Sequence, residues 1–216
     1  MSGKADQNKP LETIPVAETA DTATAAVETA PETQTEQAEE EVQPVIVVLN
    51  NDQPGILGPM VQFPEVAEVL NAVAQRLLVD PLPGVTLSRA QRELLAGQTS
   101  IVNDTEFCMN SHTAAAEAAA GSEEALVALS SDENFLILME LAAIHAQASG
   151  HPMLGQIAER VRTAGWSNED IHLTVAISSA FNMFNSYVDT AGNPGCNTKE
   201  EYDAIGKRLV EQGYKA

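Results

Sequence analysis

Cysteine is scarce in this sequence: Cys108 and Cys196 are the only two, 88 positions apart. Two such residues cannot build a disulfide framework, so any interest they hold is chemical. Positive charge is scarce as well, with 11 Lys and Arg against 31 Asp and Glu and a net charge of −20. That sign repels phosphate backbones and anionic lipid surfaces and argues against a nucleic-acid partner. No apolar run approaches the roughly 18 residues that a membrane span needs. The opening Met1-Ser2-Gly3-Lys4-Ala5-Asp6 lacks the apolar stretch of a secretory signal. The expectation is a soluble cytoplasmic protein without membrane contact.

Aromatic residues make up only 4% of the chain, and residues 1–44 contain none. That segment carries 10 acids against 2 bases and is dominated by Thr, Ala, Glu, Gln and Pro. It cannot bury enough apolar surface to offset its ordering entropy, so composition predicts a disordered acidic tail over 1–44. The remainder still holds a net −12. A chain of this length suits one sizeable core better than two small ones, giving a single domain over 45–216. Val45-Ile46-Val47-Val48-Leu49 is strand-like but has no second strand-like segment to pair with, and reads as a docked extended arm.

From Pro64 onward helix signals dominate. A Ser/Thr followed three residues later by Glu/Gln satisfies two orphan amide donors at a first turn. Ser88 with Gln91, Ser130 with Glu133 and Thr198 with Glu201 fit that pattern, and Ser167 with Asp170 is a shorter-armed version. Gly121-Ser122 and Gly150 with Pro152 mark stops followed by new starts. The spacing predicts an all-α domain with helices at about 64–78, 88–102, 105–120, 122–129, 131–149, 153–164, 168–190 and 198–213. Phe135–Ala148 and Ile171–Val188 are apolar around most of their circumference, more than one small core usually covers, which predicts self-association. Trp166, just before Ser167, reads as a packing partner of Ile171.

Cys108 and His112 lie four apart on one helical face, where a hydrogen bond between them is geometrically natural. The break at 103–105 is short enough to make its flanking helices antiparallel neighbours. Glu93 stands 10 residues before Asn103 and His112 stands 9 after it, so the two come level across the hairpin. The carboxylate can then orient the imidazole. Cys108 falls in the first turn of its helix, where the macrodipole favours a thiolate and a depressed pKa. Glu93, His112 and Cys108 together have the logic of an activated nucleophile. The plainer alternative is a buried cysteine serving as a small hydrophobe beside a structural His and a solvated Glu.

The stretch Leu87-Ser88-Arg89-Ala90-Gln91-Arg92-Glu93-Leu94-Leu95-Ala96, followed by Ser100, Asn103-Asp104-Thr105-Glu106-Phe107-Cys108 and Ser111-His112, resembles the core motif of the alkylhydroperoxidase D and carboxymuconolactone decarboxylase family. It is most similar to the peroxidase-related branch. Asp52-Gln53-Pro54-Gly55-Ile56 and Phe181-Asn182-Met183-Phe184-Asn185 support the likeness. The family motif is a Glu, then Cys-x-x-Cys, three residues and a His. The resemblance makes Glu93 the relay carboxylate, His112 the relay histidine and Cys108 the second cysteine. Thr105 occupies the place of the first and cannot form the internal disulfide of the family's peroxidases.

The resemblance implies an all-α, alkylhydroperoxidase D-like domain that assembles as a homo-oligomer, a trimer or hexamer. It also implies a thiol-dependent peroxidase acting on a hydroperoxide and re-reduced by an external thiol, with no cofactor. Cys196, in a turn-rich loop, is a candidate to resolve an oxidised Cys108 within the limits of disulfide geometry. His145, His151 and His172 lack the spacing of metal ligands, and no metal is expected. Two other functions stay open: acid–base decarboxylation of a small lactone-like acid by Glu93 and His112, and a non-catalytic oligomeric scaffold. Deleting residues 1–44 is expected to leave the thermal transition and the number of chains per oligomer unchanged. Thermal melting and sedimentation of both forms check this, and a lost transition, a monomer, or a different number of chains per oligomer after truncation would refute it.

Overall fold

The computed structural model describes residues 46–148 and 150–214, so the tail expected over 1–44 lies outside the described residues. The chain forms nine helices among those residues: α1 (Leu57–Gln62), α2 (Pro64–Ala74), α3 (Arg89–Val102), α4 (Glu106–Ala120), α5 (Glu123–Ser130), α6 (Glu133–Gln147), α7 (Leu154–Thr163), α8 (Asn168–Ala191) and α9 (Lys199–Gln212). No strand is present among them, and the one β-bridge joins Gly55 to Asn193. The domain is all-α, as its pattern predicts. No helix among the described residues is long and apolar enough to cross a membrane.

Local chemistry explains most of the boundaries. Ser88 and Gln91 complete a capping box at α3, and Thr198 and Glu201 complete another at α9. Ser122 caps α5, and Gly121 takes the left-handed conformation that ends α4. Three readings need correction. The cap of α6 is Asp132, which accepts from the Phe135 amide at 2.8 Å, whereas Ser130 is the last residue of α5. The helix expected over 64–78 is α helical only to Ala74 and closes in a π-turn over Gln75–Val79. The short α1 was not foreseen, because Gly58 and Pro59 read as breakers, yet proline costs nothing in a first turn where its missing N–H has no helical partner.

The arm before α1 is tied down by Gln62, whose side chain donates to the Val48 carbonyl and accepts from the Asn50 amide. Gly55 turns the chain with φ +53°, and a Cβ there would run into the Phe107 ring. This close approach requires glycine and seats the arm against α4.

Apolar α6 and α8 pack on each other and on α3, and α4 packs between α3 and α9. Leu78, Leu95, Phe135, Leu138, Ile157, Ile177 and Phe181 fill the main core. A smaller cluster joins Phe107, Cys108, Ala114, Val188 and Tyr202. Trp166 packs against the main core beside Ile171 and donates its indole N–H to the Asn134 carbonyl. Gly206 lets α9 approach the backbone of Ala114 and Ala115 so closely that a Cβ would overlap it. This crossing carries the chain's last turn back over the α3–α4 hairpin.

Asp170 joins two helix starts. Its carboxylate accepts from the Thr86 amide at 2.7 Å, the Thr86 hydroxyl at 2.9 Å, the Leu87 amide at 3.2 Å and the Ser167 hydroxyl at 2.7 Å. Burial alone would raise its pKa, but the bonds from Ser167, Thr86 and Leu87 outweigh it and hold the carboxyl below its usual value. A depressed folded pKa means stability that is present above the unfolded value of about 3.9 and lost as pH falls through the lower folded value. Asp170→Ala is expected to cost about 2–3 kcal/mol at pH 7, the scale of hydrogen bonds to a charged group left unmade. Urea unfolding at pH 7 and below pH 4 checks this: the gap to the wild type should narrow in acid.

Candidate active site

The capping box at Ser88 fixes the start of α3, and the connection Asn103-Asp104-Thr105 turns the chain into α4, with Asp104 at φ +57°. Asp tolerates that left-handed position through its short polar side chain. The resulting hairpin brings Glu93 level with His112, and Nδ1 of the imidazole lies 2.6 Å from Glu93 Oε2. Glu93 is wholly buried, and His112 is 6% exposed. Arg89, one turn before Glu93, donates from Nε to Oε1 at 2.7 Å. Tyr214, at the far end of the chain, donates its hydroxyl to both carboxylate oxygens at 3.1 Å and stands 3.3 Å from His112 Nδ1.

Burial by itself would raise the Glu93 pKa. The His112 hydrogen bond, its charge and Arg89 outweigh that cost and hold the carboxyl below its ordinary value. An ionised carboxylate only accepts hydrogen bonds, so Nδ1 must carry the proton in the pair. In the neutral ring this leaves the lone pair on Nε2, which makes no hydrogen bond among the described residues. Phe181 meets the imidazole edge-on at 4.5 Å, and the Tyr214 ring stacks at 6.2 Å on it. Burial and the Glu93 charge push the Tyr214 hydroxyl well above its usual pKa, so it remains a donor.

Cys108 lies on the same face of α4 but departs from expectation. No hydrogen bond joins it to His112 among the described residues. Burial, and then the nearby Asp189 carboxylate, push its thiol up to about 12 rather than down. The thiol is 3% exposed, and desolvation there overrides the helix dipole that favoured a thiolate. Thr105, where the family motif has a cysteine, is also buried, and it donates its hydroxyl to Asp189 Oδ2 at 2.8 Å.

Cys108, Ser111 and His112 form one wall of a cavity of about 460 Å³, with Ile56, Leu57, Met60, Phe181, Phe184, Ile205, Leu209 and Tyr214 around it. The Ser111 hydroxyl is buried without a hydrogen-bond partner among the described residues. Cys196 does not line this cavity but opens onto two grooves beside it. His145 is occupied with Ser178, His151 accepts from the Met153 amide, and His172 is exposed. No three His, Cys, Asp or Glu side chains converge as metal ligands among the described residues.

Sequence reasoning did not give Arg89, Ser111 or Tyr214 a role. The i,i+4 spacing from Arg89 to Glu93 was a usable signal, as was the placement of Ser111 three residues after Cys108. Nothing local could have brought in Tyr214, 121 positions from its partner.

The sequence pattern of the carboxymuconolactone decarboxylase family matches residues 64–136. A solved structure of an uncharacterized peroxidase-related protein from Silicibacter sp. TM1040 has a TM-score of 0.57 at 25% identity, covering 69% of this chain and 78% of that one. A second, the alkylhydroperoxidase AhpD core of an uncharacterized peroxidase-related protein from Ralstonia eutropha JMP134, has a TM-score of 0.57 at 20% identity over 71% and 81%. No curated protein matches the sequence.

Asp189→Asn keeps an acceptor for Thr105 and removes the charge that opposes ionisation of Cys108. The variant is expected to lower the thiol pKa and to speed Cys108 alkylation by iodoacetamide at a fixed pH near 9. An alkylation profile identical to the wild type across pH 7 to 11 would refute the assigned influence of Asp189.

Proposed function

We propose that this chain, which carries the carboxymuconolactone decarboxylase family pattern over residues 64–136, is a peroxidase-related oxidoreductase that reduces hydroperoxides through Cys108. The observation that carries this reading is the single cavity wall holding Cys108, Ser111 and His112, with His112 keyed from behind by buried Glu93. The peroxidase-related names of the structural neighbours support the same class.

At neutral pH a thiol titrating at about 12 is protonated, and His112 does not hold it. Ionisation is therefore tied to substrate entry, with the hydroperoxide lying between sulfur and imidazole. His112 Nε2 takes the thiol proton as the sulfur attacks a peroxide oxygen. An S–O bond forms, the O–O bond breaks, and the leaving alkoxide takes the proton from His112 to depart as an alcohol. The sulfur is oxidised by two electrons to a sulfenic acid. An external thiol attacks that acid, forming a mixed disulfide and releasing water, and a second thiol restores Cys108. Glu93 holds the ring and stabilises its charged form, and Tyr214 and Arg89 hold Glu93.

In this reading the protein is an antioxidant enzyme of the cytoplasm and works as a homo-oligomer, a trimer or hexamer. Leu136 and Met183, exposed on α6 and α8, support the assembly. A second reading, proton transfer on a small lactone-like acid by Glu93 and His112 with Cys108 incidental, is favoured by one observation, the raised thiol pKa.

Treatment with an alkyl hydroperoxide is expected to give a dimedone-trappable sulfenic acid on Cys108, and Cys108→Ser should abolish thiol-supported peroxide consumption. Thr105→Cys should supply the vicinal sulfur, closing a disulfide with Cys108 and raising turnover with a dithiol. Peroxide that leaves Cys108 unmodified, together with a Thr105→Cys variant that gains neither disulfide nor turnover, would replace this function with the proton-transfer one.

A further inference from the structure

We propose that the cavity beside Cys108 takes an organic monocarboxylate, its apolar body along Met60, Phe181, Phe184 and Leu209 and its carboxylate on Arg208. The inference rests on this cavity being the substrate site, and it names the substrate class of that site.

The walls are mostly aliphatic and aromatic, and the volume falls within the range of small-molecule sites. Ser111, which lines the cavity, is 3% exposed, and its buried hydroxyl has no hydrogen-bond partner among the described residues. Buried polar groups are almost always satisfied, so an orphan hydroxyl on a cavity wall points to a polar atom of a ligand. It neighbours Cys108 and His112 on α4, where the reactive oxygen of a substrate would sit.

Charge decides the other end. Seven of the eight Arg and Lys side chains among the described residues engage a carboxylate or a backbone carbonyl: Arg76, Arg89, Arg92, Arg160, Arg162, Lys199 and Lys207. Arg208 engages none among the described residues. A guanidinium at a cavity with no acidic partner among the described residues is a place for an anion brought from outside. Arg208 is exposed and lines both this cavity and the groove outside α9, so it stands at the rim. Asp52 and Glu201 share that groove without pairing with it, and Glu201 is occupied by the amides of Asn197 and Thr198. One cation unpaired among the described residues and a long apolar wall match a single carboxylate on an apolar body, not a compact polyacid.

The test is calorimetric titration of the full-length protein with decanoate, 1-decanol and decanedioate at pH 7.5. Decanoate is expected to bind once per chain and at least tenfold more tightly than either of the others. Arg208→Gln, a change at an exposed position, should erase that tenfold advantage and leave decanol unchanged. Met60→Trp, which fills the cavity, should weaken decanoate and decanol alike. Absence of decanoate binding, equal affinity for the acid and the alcohol, or wild-type binding by Arg208→Gln or Met60→Trp would each overturn the proposal. Peroxide consumption is read separately: its absence with decanoate selectivity intact removes the peroxidase reading alone, and peroxidase activity without that selectivity removes this proposal alone.

Discussion

A carboxylate with no solvent exposure at all is the constraint around which this structure is organised. Taking Glu93 out of water costs several kcal/mol unless its charge and lone pairs are answered nearby. They are answered from three directions: Arg89 one turn earlier on α3, His112 across the hairpin on α4, and Tyr214 from the end of the chain. The close crossing of α4 and α9 at Gly206 makes the third direction available. Gln75, in the π-turn after α2, then accepts from the Tyr214 amide at 2.9 Å and fixes Tyr214 over the pair. Removing one partner leaves charge uncompensated, so the site and the fold around it are stabilised by the same bonds.

The same arrangement divides labour at the cavity. Glu93 settles which imidazole nitrogen holds a proton, leaving the other without a hydrogen bond among the described residues. Cys108 is kept as a protonated thiol by burial and by Asp189, while Thr105 ties Asp189 in place. A thiol so held is the protonated, less easily oxidised form at neutral pH.

Helical periodicity, caps and hairpin arithmetic made the all-α class, most helix bounds and the Glu93–His112 alignment legible, because each depends on neighbours within a turn or one short connection. The α6 cap was misread because Ser130, Ser131 and Asp132 all have capping chemistry, and only packing selects Asp132. The thiol was misread for a related reason: its helix position favours a thiolate, whereas Asp189, from α8, and the desolvating core are tertiary facts. Tyr214 shows the same limit, since no local pattern ties a terminal tyrosine to a carboxylate on α3.

The chemistry of the pair depends on the protonation state that Glu93 imposes on His112. Nitrogen-15 NMR of the labelled protein, recorded from pH 6 to pH 9, reads it directly. A protonated Nδ1 and a bare Nε2 are expected in the neutral ring, with the preference lost in Glu93→Gln. A neutral His112 carrying its proton on Nε2, or a preference unchanged in that variant, would contradict that expectation.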